Sequence, residues 1–226
     1  MTQLCRRPSP SSSPRLSTAH DILMRAIESA ESLFHAFGEL RKDKKGAPTD
    51  HHQDILRSAL VFAAAGLDAV VKQLVKDALS AVVDLDPGAH DQFVNYLHSR
   101  LSRQPLDTKW LARALANAQP REYARDDYIN ELTSHSLQSK DQLLRVAAAF
   151  AIPANEVAAD VKQIQEVFIA RNQIIHEMDI LFGPNRSRRS RKQATIRAHT
   201  TTLLEVATRF YEAVAKRLGP HSDEGK

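Results

Sequence analysis

The stretch Ala59 to Val75 constrains the fold of this chain more than any other. It reads ALVFAAAGLDAVVKQLV, and on a helical wheel it is apolar nearly all round. A helix with no polar face is the central, buried member of a bundle. Gly46-Ala47-Pro48 stops whatever precedes it, and Thr49 or Asp50 supplies a cap, so the spacing predicts one long helix to about Val83. Pro87-Gly88 then breaks the chain. The apolar centre has a single acidic interruption, Asp68.

The flanking segments read the same way. A first helix is predicted from His20 to about Lys45, with Ile22, Ile27, Leu33, Phe34, Phe37 and Leu40 on its apolar side and Ser17 or Thr18 as cap. Shorter helices follow over 88–150, with breaks near Gln104-Pro105, near Gln119-Pro120 and around Thr133 to Ser139. A long helix is expected from Pro153 to about Leu181, ended by Phe182-Gly183-Pro184-Asn185, and a last one from about Lys192 to Leu218. The chain has only seven glycines in 226 residues, under half the usual share of roughly 7%. Aromatics make up 6%. That composition argues against β-sandwiches and barrels, which need many turns and strand-forming residues. The expected class is all-α: one helical domain over 18–218, with 88–150 as a helical insertion. Residues 1–17, rich in Ser, Pro and Arg, are expected to be a disordered tail, and 219–226 a flexible one.

Several chemistries lack their residues. No G-x-G-x-x-G, Walker loop, G-x-S-x-G or H-E-x-x-H occurs. Cys5 is the only cysteine, which excludes intramolecular disulfides and cysteine-based zinc sites and fits a reducing, cytoplasmic compartment. His51-His52 near Asp54 lack a matched ligand set elsewhere, so no metal or other cofactor is expected. His98, His135 and His199 read as surface residues, and Trp110, Tyr123 and Tyr128 as core. No run of about 18 apolar residues is seen, so no membrane partner is expected. The net charge of +4 and the pI near 9.3 are compatible with a polyanionic partner.

The anomaly lies in Val161 to Leu181, VKQIQEVFIARNQIIHEMDIL. At roughly 100° per residue, Ile164, Val167, Phe168, Ile174, Ile175 and Met178 share one face, and Arg171 falls in the middle of it. A guanidinium keeps its proton and is costly to bury alone. It needs a carboxylate, a phosphate or an open cleft. Asp68 is one candidate partner, which would make Arg171 a structural ion pair. Asn172 and His176 are four apart and stack on a flanking stripe. Asp179, one turn further, is placed to orient the imidazole. Arg171 and His176 themselves diverge by about 140°. Long side chains, a local helix bulge or a symmetric partner could bring them together.

Arg171-Asn172-Gln173-Ile174-Ile175-His176 resembles the motif of the HEPN family (higher eukaryotes and prokaryotes nucleotide-binding): Arg, a polar residue, three more, then His. Its place late in an all-α chain also fits. The segment ILRSALVFAAAGLDAVVKQLVKDAL looks like the first core helix of the RiboL-PSP branch, which typically carries an acid where Asp68 stands. The resemblance covers about 50–85 and 155–218. It implies a HEPN-type bundle, and in many members a metal-independent endoribonuclease whose two subunits pair their motifs across a shared cleft. Such proteins act in prokaryotic defence, in toxin systems or in RNA processing, so an antitoxin or sensor protein is an expected partner beside RNA and a second copy. Other members are silent modules that bind RNA, a nucleotide or a protein. On the nuclease reading Arg171, Asn172 and His176 are catalytic, with Asp68 and Asp179 in support. Arg186, Arg188, Arg189, Arg191 and Lys192 are the expected RNA-binding cluster.

Overall fold

The computed structural model describes residues 3–137, 139–158, 160–183 and 186–219. They form helices α1 (Ser17–Arg41), α2 (Asp50–Leu85), α3 (Pro87–Leu101), α4 (Thr108–Ala116), α5 (Pro120–Thr133), α6 (Lys140–Ala149), α7 (Ala154–Val157), α8 (Val161–Glu177) and α9 (Gln193–Leu218). No strand occurs among the described residues; the nearest approach to one is an isolated antiparallel bridge between Ile180 and Arg188.

α2 is the axis of the bundle. Leu56, Leu60, Leu67, Leu74, Leu79 and Val82 are sealed from solvent, and the helix packs on α1, α9, α3, α5, α8 and α6. By length and composition alone it would pass for a membrane span, a stronger apolar run than the sequence reading allowed; in the fold, 56% of that stretch is buried in the bundle. Thr49 caps it, with His52 Nδ1 accepting the Thr49 N–H at 3.3 Å. Gly66 permits the close approach of α1: a Cβ built there would stand 2.4 Å from the Ala26 Cβ.

The chain breaks at the expected place: extended Asp86 separates α2 from α3, and Pro87 opens α3, because a helix needs no N–H at that position. The middle segment folds as four helices. Its core holds Phe93, Tyr96, Tyr128 and Trp110, with Tyr123 packed against it and Arg100 over the Trp110 ring.

Three expectations require correction. Pro153 does not open the long motif helix. It caps the single turn α7; the chain then extends through Ala158, and Asp160 caps α8, accepting the N–H groups of Lys162 at 2.8 Å and Gln163 at 3.2 Å. α8 stops at Glu177, not Leu181, because Met178 and Asp179 both take the left-handed conformation, at φ 49° and 59°. Pro184 and Asn185, the expected stop, lie outside the described residues.

The N-terminal segment is the third. Residues 3–13 are irregular and Pro14–Leu16 form a 3-10 turn, but the segment is laid against α1 and α9, not a detached tail. Leu4, Cys5 and Leu16 are buried. Ser11 N–H donates to the Tyr211 hydroxyl at 2.8 Å, and Arg7 pairs with Glu31 at 2.9 Å. Arg6 pairs with Glu212. Leu4, Cys5, Pro8 and Leu16 anchor it, and the Ser/Pro composition hid them. The end of the chain from Pro220 lies outside the described residues.

Candidate functional site

α8 is held by α2, α9 and α6. Ile164, Val167, Phe168 and Ile174 are buried as the periodicity required, and Ile175 is half-buried. Met178 is 63% exposed, because the turn that ends the helix carries it off the apolar face.

Arg171 is half-buried and makes no ion pair among the described residues. Its Nη1 donates to Asn172 Oδ1 at 2.9 Å, and its Nε is buried without a hydrogen-bond partner. Burial pulls its pKa down, and the negative charge of Asp68 partly offsets that. Asp68 attracts Arg171 from a distance but binds elsewhere. It pairs with Lys72 at 3.1 Å and accepts the Leu137 N–H at 2.7 Å. The fully formed ion pair that would make Arg171 purely structural is therefore not there.

His176 is exposed in the last turn of α8. The helix is regular α from Val161 to Glu177, so no bulge draws Arg171 and His176 onto one stripe. Within one chain the two side chains leave the helix in different directions.

Asp179 does not orient His176. It is fully buried and lies between two arginines: Arg57 Nε donates to Oδ2 at 2.9 Å, and Arg191 Nε donates to the same oxygen at 3.1 Å. Its backbone is engaged too, with its N–H bound to the Gln173 carbonyl at 2.9 Å and its C=O accepting from Arg189 at 2.8 Å. Burial pushes the Asp179 carboxyl up, but hydrogen bonds from Arg191 and Arg57 outweigh this and hold it below the ordinary carboxylate range.

Around this pair a larger network forms. Arg57 also reaches Asp54 at 3.0 Å and the Arg189 carbonyl at 2.9 Å. Arg188 pairs with Asp54 at 2.8 Å, and Arg189 with Glu177 at 3.0 Å. Gln53 accepts the Arg191 N–H at 2.7 Å, and Arg191 Nη2 donates to Gln173 at 2.8 Å. The basic loop is thus fastened to α2 and to the end of α8. Three of its five cations, Arg188, Arg189 and Arg191, are paired inside the protein. Arg186 and Lys192 are exposed, with no ion pair among the described residues.

The remaining histidines and acids divide similarly. Asp54 serves Arg57 and Arg188 rather than His51 or His52. His98 and His135 are exposed. His199 is half-buried rather than on the surface, with Nδ1 unpartnered; burial and the nearby Arg191 lower its pKa, against the opposing pull of Glu166. Among the described residues no three His, Cys, Asp or Glu side chains are grouped to hold a metal ion.

The sequence pattern could not reveal Gln53 and Arg57 as parts of this region. Arg57 stands one turn before an apolar run and looks like a solvated charge. Its partner lies 122 residues away. No family model, no curated protein and no solved structure matches the chain.

Proposed function

We propose that the chain is a metal-independent endoribonuclease of HEPN type, acting as a homodimer in the cytoplasm. The observation that carries this reading is the state of Arg171. Arg125 and Arg217 also bury an unpartnered Nε, but carboxylates pair with both; Arg171 is desolvated with no ion pair among the described residues to repay the cost. A phosphate is the ligand that would repay it. Asn172 touches the guanidinium and steadies it. His176, exposed in the last turn of the same helix, carries an imidazole, which can both take and give a proton.

The chemistry follows from RNA itself. The 2′-oxygen attacks the adjacent phosphorus as its proton passes to an imidazole. The bond from phosphorus to the 5′-oxygen breaks, and that oxygen takes a proton from a second acid. Arg171 neutralises the charge that grows on the phosphoryl oxygens. The products are a 2′,3′-cyclic phosphate and a 5′-hydroxyl. Because Arg171 and His176 diverge on one regular helix, the second copy supplies the complementary pair. The resemblance suggests a role in prokaryotic defence or a toxin system, with an antitoxin or sensor protein restraining the enzyme.

The test is cleavage of RNA in the presence of EDTA by the unmodified protein, His176→Ala and Arg171→Ala. Cleavage that survives EDTA and is lost in both variants while helicity persists supports the proposal. Binding of RNA without cleavage by the unmodified protein would point instead to a silent HEPN module. A strict monomer by light scattering at micromolar concentration would remove the shared cleft.

A further inference from the structure

Immediately beyond the motif helix, three large apolar side chains stand in solvent within five residues. Met178 is 63% exposed, Leu181 45% and Phe182 81%. Phe182 is the most exposed large apolar side chain among the described residues. It is not there because the loop is slack. Leu181 N–H donates to the Ser187 carbonyl at 2.8 Å, Arg189 N–H to the Asp179 carbonyl at 2.8 Å, and Ile180 bridges Arg188. Phe182 lies just outside the last of these cross-loop bonds. The base of the loop is anchored by the buried Asp179 carboxylate between Arg57 and Arg191. These bonds fix where the chain leaves the helix, and the Phe182 ring stands outside them, in solvent.

The surroundings are cationic. From Glu177 to Lys192 the chain carries five Lys or Arg against two acids. Arg186 and Lys192 are the two cations of that segment left without ion pairs among the described residues, and both are exposed. An exposed aromatic ring on a fixed loop among free cations is the combination that binds unpaired nucleotides. Every base offers a π-face to stack, and the cations meet the phosphates. A duplex hides its base faces inside the helix and cannot use the ring.

We infer that Phe182 is a base-stacking residue that gives this protein a preference for single-stranded RNA beside the motif helix. The choice of RNA rests on the nuclease reading above. Phe182 is six residues from His176, within about 20 Å along the chain, so a base stacked on it belongs to the strand being cut.

The experiment measures binding of a fluorescein-labelled 12-nucleotide 2′-O-methyl oligouridine, which stacks normally but lacks the attacking hydroxyl, and of a duplex of the same length. Phe182→Ala and Phe182→Leu are expected to weaken single-strand binding about 5- to 100-fold and to leave duplex binding unchanged. Phe182→Tyr is expected to bind as the unmodified protein does. Equal affinity of the unmodified protein and Phe182→Leu would overturn the inference, since apolar contact alone would then suffice. So would a Phe182→Ala protein that binds normally but changes its mass by light scattering, which would make the ring a contact between copies. If the unmodified protein cleaves RNA and Phe182→Ala binds it equally well, this inference falls and the nuclease stands. If the unmodified protein neither binds nor cleaves single-stranded RNA, both fall.

Discussion

Arg57 Nε donates to Asp179 Oδ2 at 2.9 Å, across 122 residues of chain, and both side chains are sealed from water. This pair joins the start of α2 to the turn that ends the motif helix. It also holds Met178 and Asp179 in a left-handed conformation that costs an ordinary residue roughly 1–2 kcal/mol. Removing one partner leaves the other charge buried. Asp179→Ala is therefore expected to lower stability by about 3–5 kcal/mol in urea unfolding. Breaking the exposed Arg25–Glu28 pair on α1 should cost well under about 1 kcal/mol. Similar losses at the two sites would show that the buried network does not hold the loop.

The same network makes stability depend on acid. The carboxyls of Asp179 and Asp54 are pushed up by burial but held down further by their arginine partners, so both fold with lowered pKa. A group with a lowered folded pKa binds protons more readily when unfolded. Its stabilisation is complete above the unfolded value of about 3.9 and is lost as pH falls through the folded value. Read from urea midpoints, the contribution of these two carboxylates should thus hold steady from neutral pH to about 5 and fall below about 4, on top of an earlier loss below about 6.5 from His199, whose pKa is also lowered in the fold. In Asp179→Asn that fall should be shallower. An equal slope in both proteins would assign acid lability elsewhere.

Most of the helical plan could be read from punctuation. Gly46-Pro48, Pro87, Pro120 and Gly219 mark real helix ends, and the apolar run around Leu67 marks the axis. The misread boundaries lack such marks. Ala158 and Asp160, both extended, part α7 from α8 where the sequence has no Gly or Pro. Met178 stops α8 in a conformation usually left to Gly or Asn, tolerated because its neighbour is anchored from α2. The basic loop looked like a free anion-binding patch for the same reason. Its counter-charges, Asp54 and Asp179, are assembled only by the tertiary fold.

Gly66 supplies a test of the α1–α2 contact. In a helix interior Gly→Ala ordinarily gains about 1 kcal/mol. Here the new methyl would meet the Ala26 Cβ at 2.4 Å, with two backbones behind it that cannot move independently. Gly66→Ala is expected to destabilise by about 1–3 kcal/mol. Adding Ala26→Gly should recover part of that loss by restoring the space. Thermal denaturation of the single and double variants decides it; a stabilised single variant would mean that the helices are free to separate.

Cys5 reports on the N-terminal segment. The thiol is buried and its pKa is pushed up to about 11, by burial first and by Glu31 and Glu205 after it. Only a thiolate reacts with Ellman's reagent at a useful rate. Labelling at pH 8 should therefore be at least about tenfold slower than for a free thiol, whose pKa is about 8.5. Tyr211→Phe removes the acceptor for Ser11 N–H and should accelerate labelling by loosening the segment. Fast labelling of the unmodified protein would mean that residues 3–16 spend much of their time detached.

Arg171 separates a binding residue from a structural one by the sign of its effect on stability. A structural arginine would lose about 3–5 kcal/mol on removal, because its carboxylate would be stranded. Asp68 would not be stranded here, since Lys72 and the Leu137 N–H hold it regardless. Arg171 itself buries an Nε that nothing satisfies. Arg171→Met keeps the stem's packing and removes the desolvated charge. It is expected to leave stability unchanged or to raise it by up to about 1 kcal/mol in urea unfolding, while abolishing RNA cleavage. A gain in stability with a loss of activity is the pattern of a residue kept for function. A loss of several kcal/mol would return Arg171 to the structural reading.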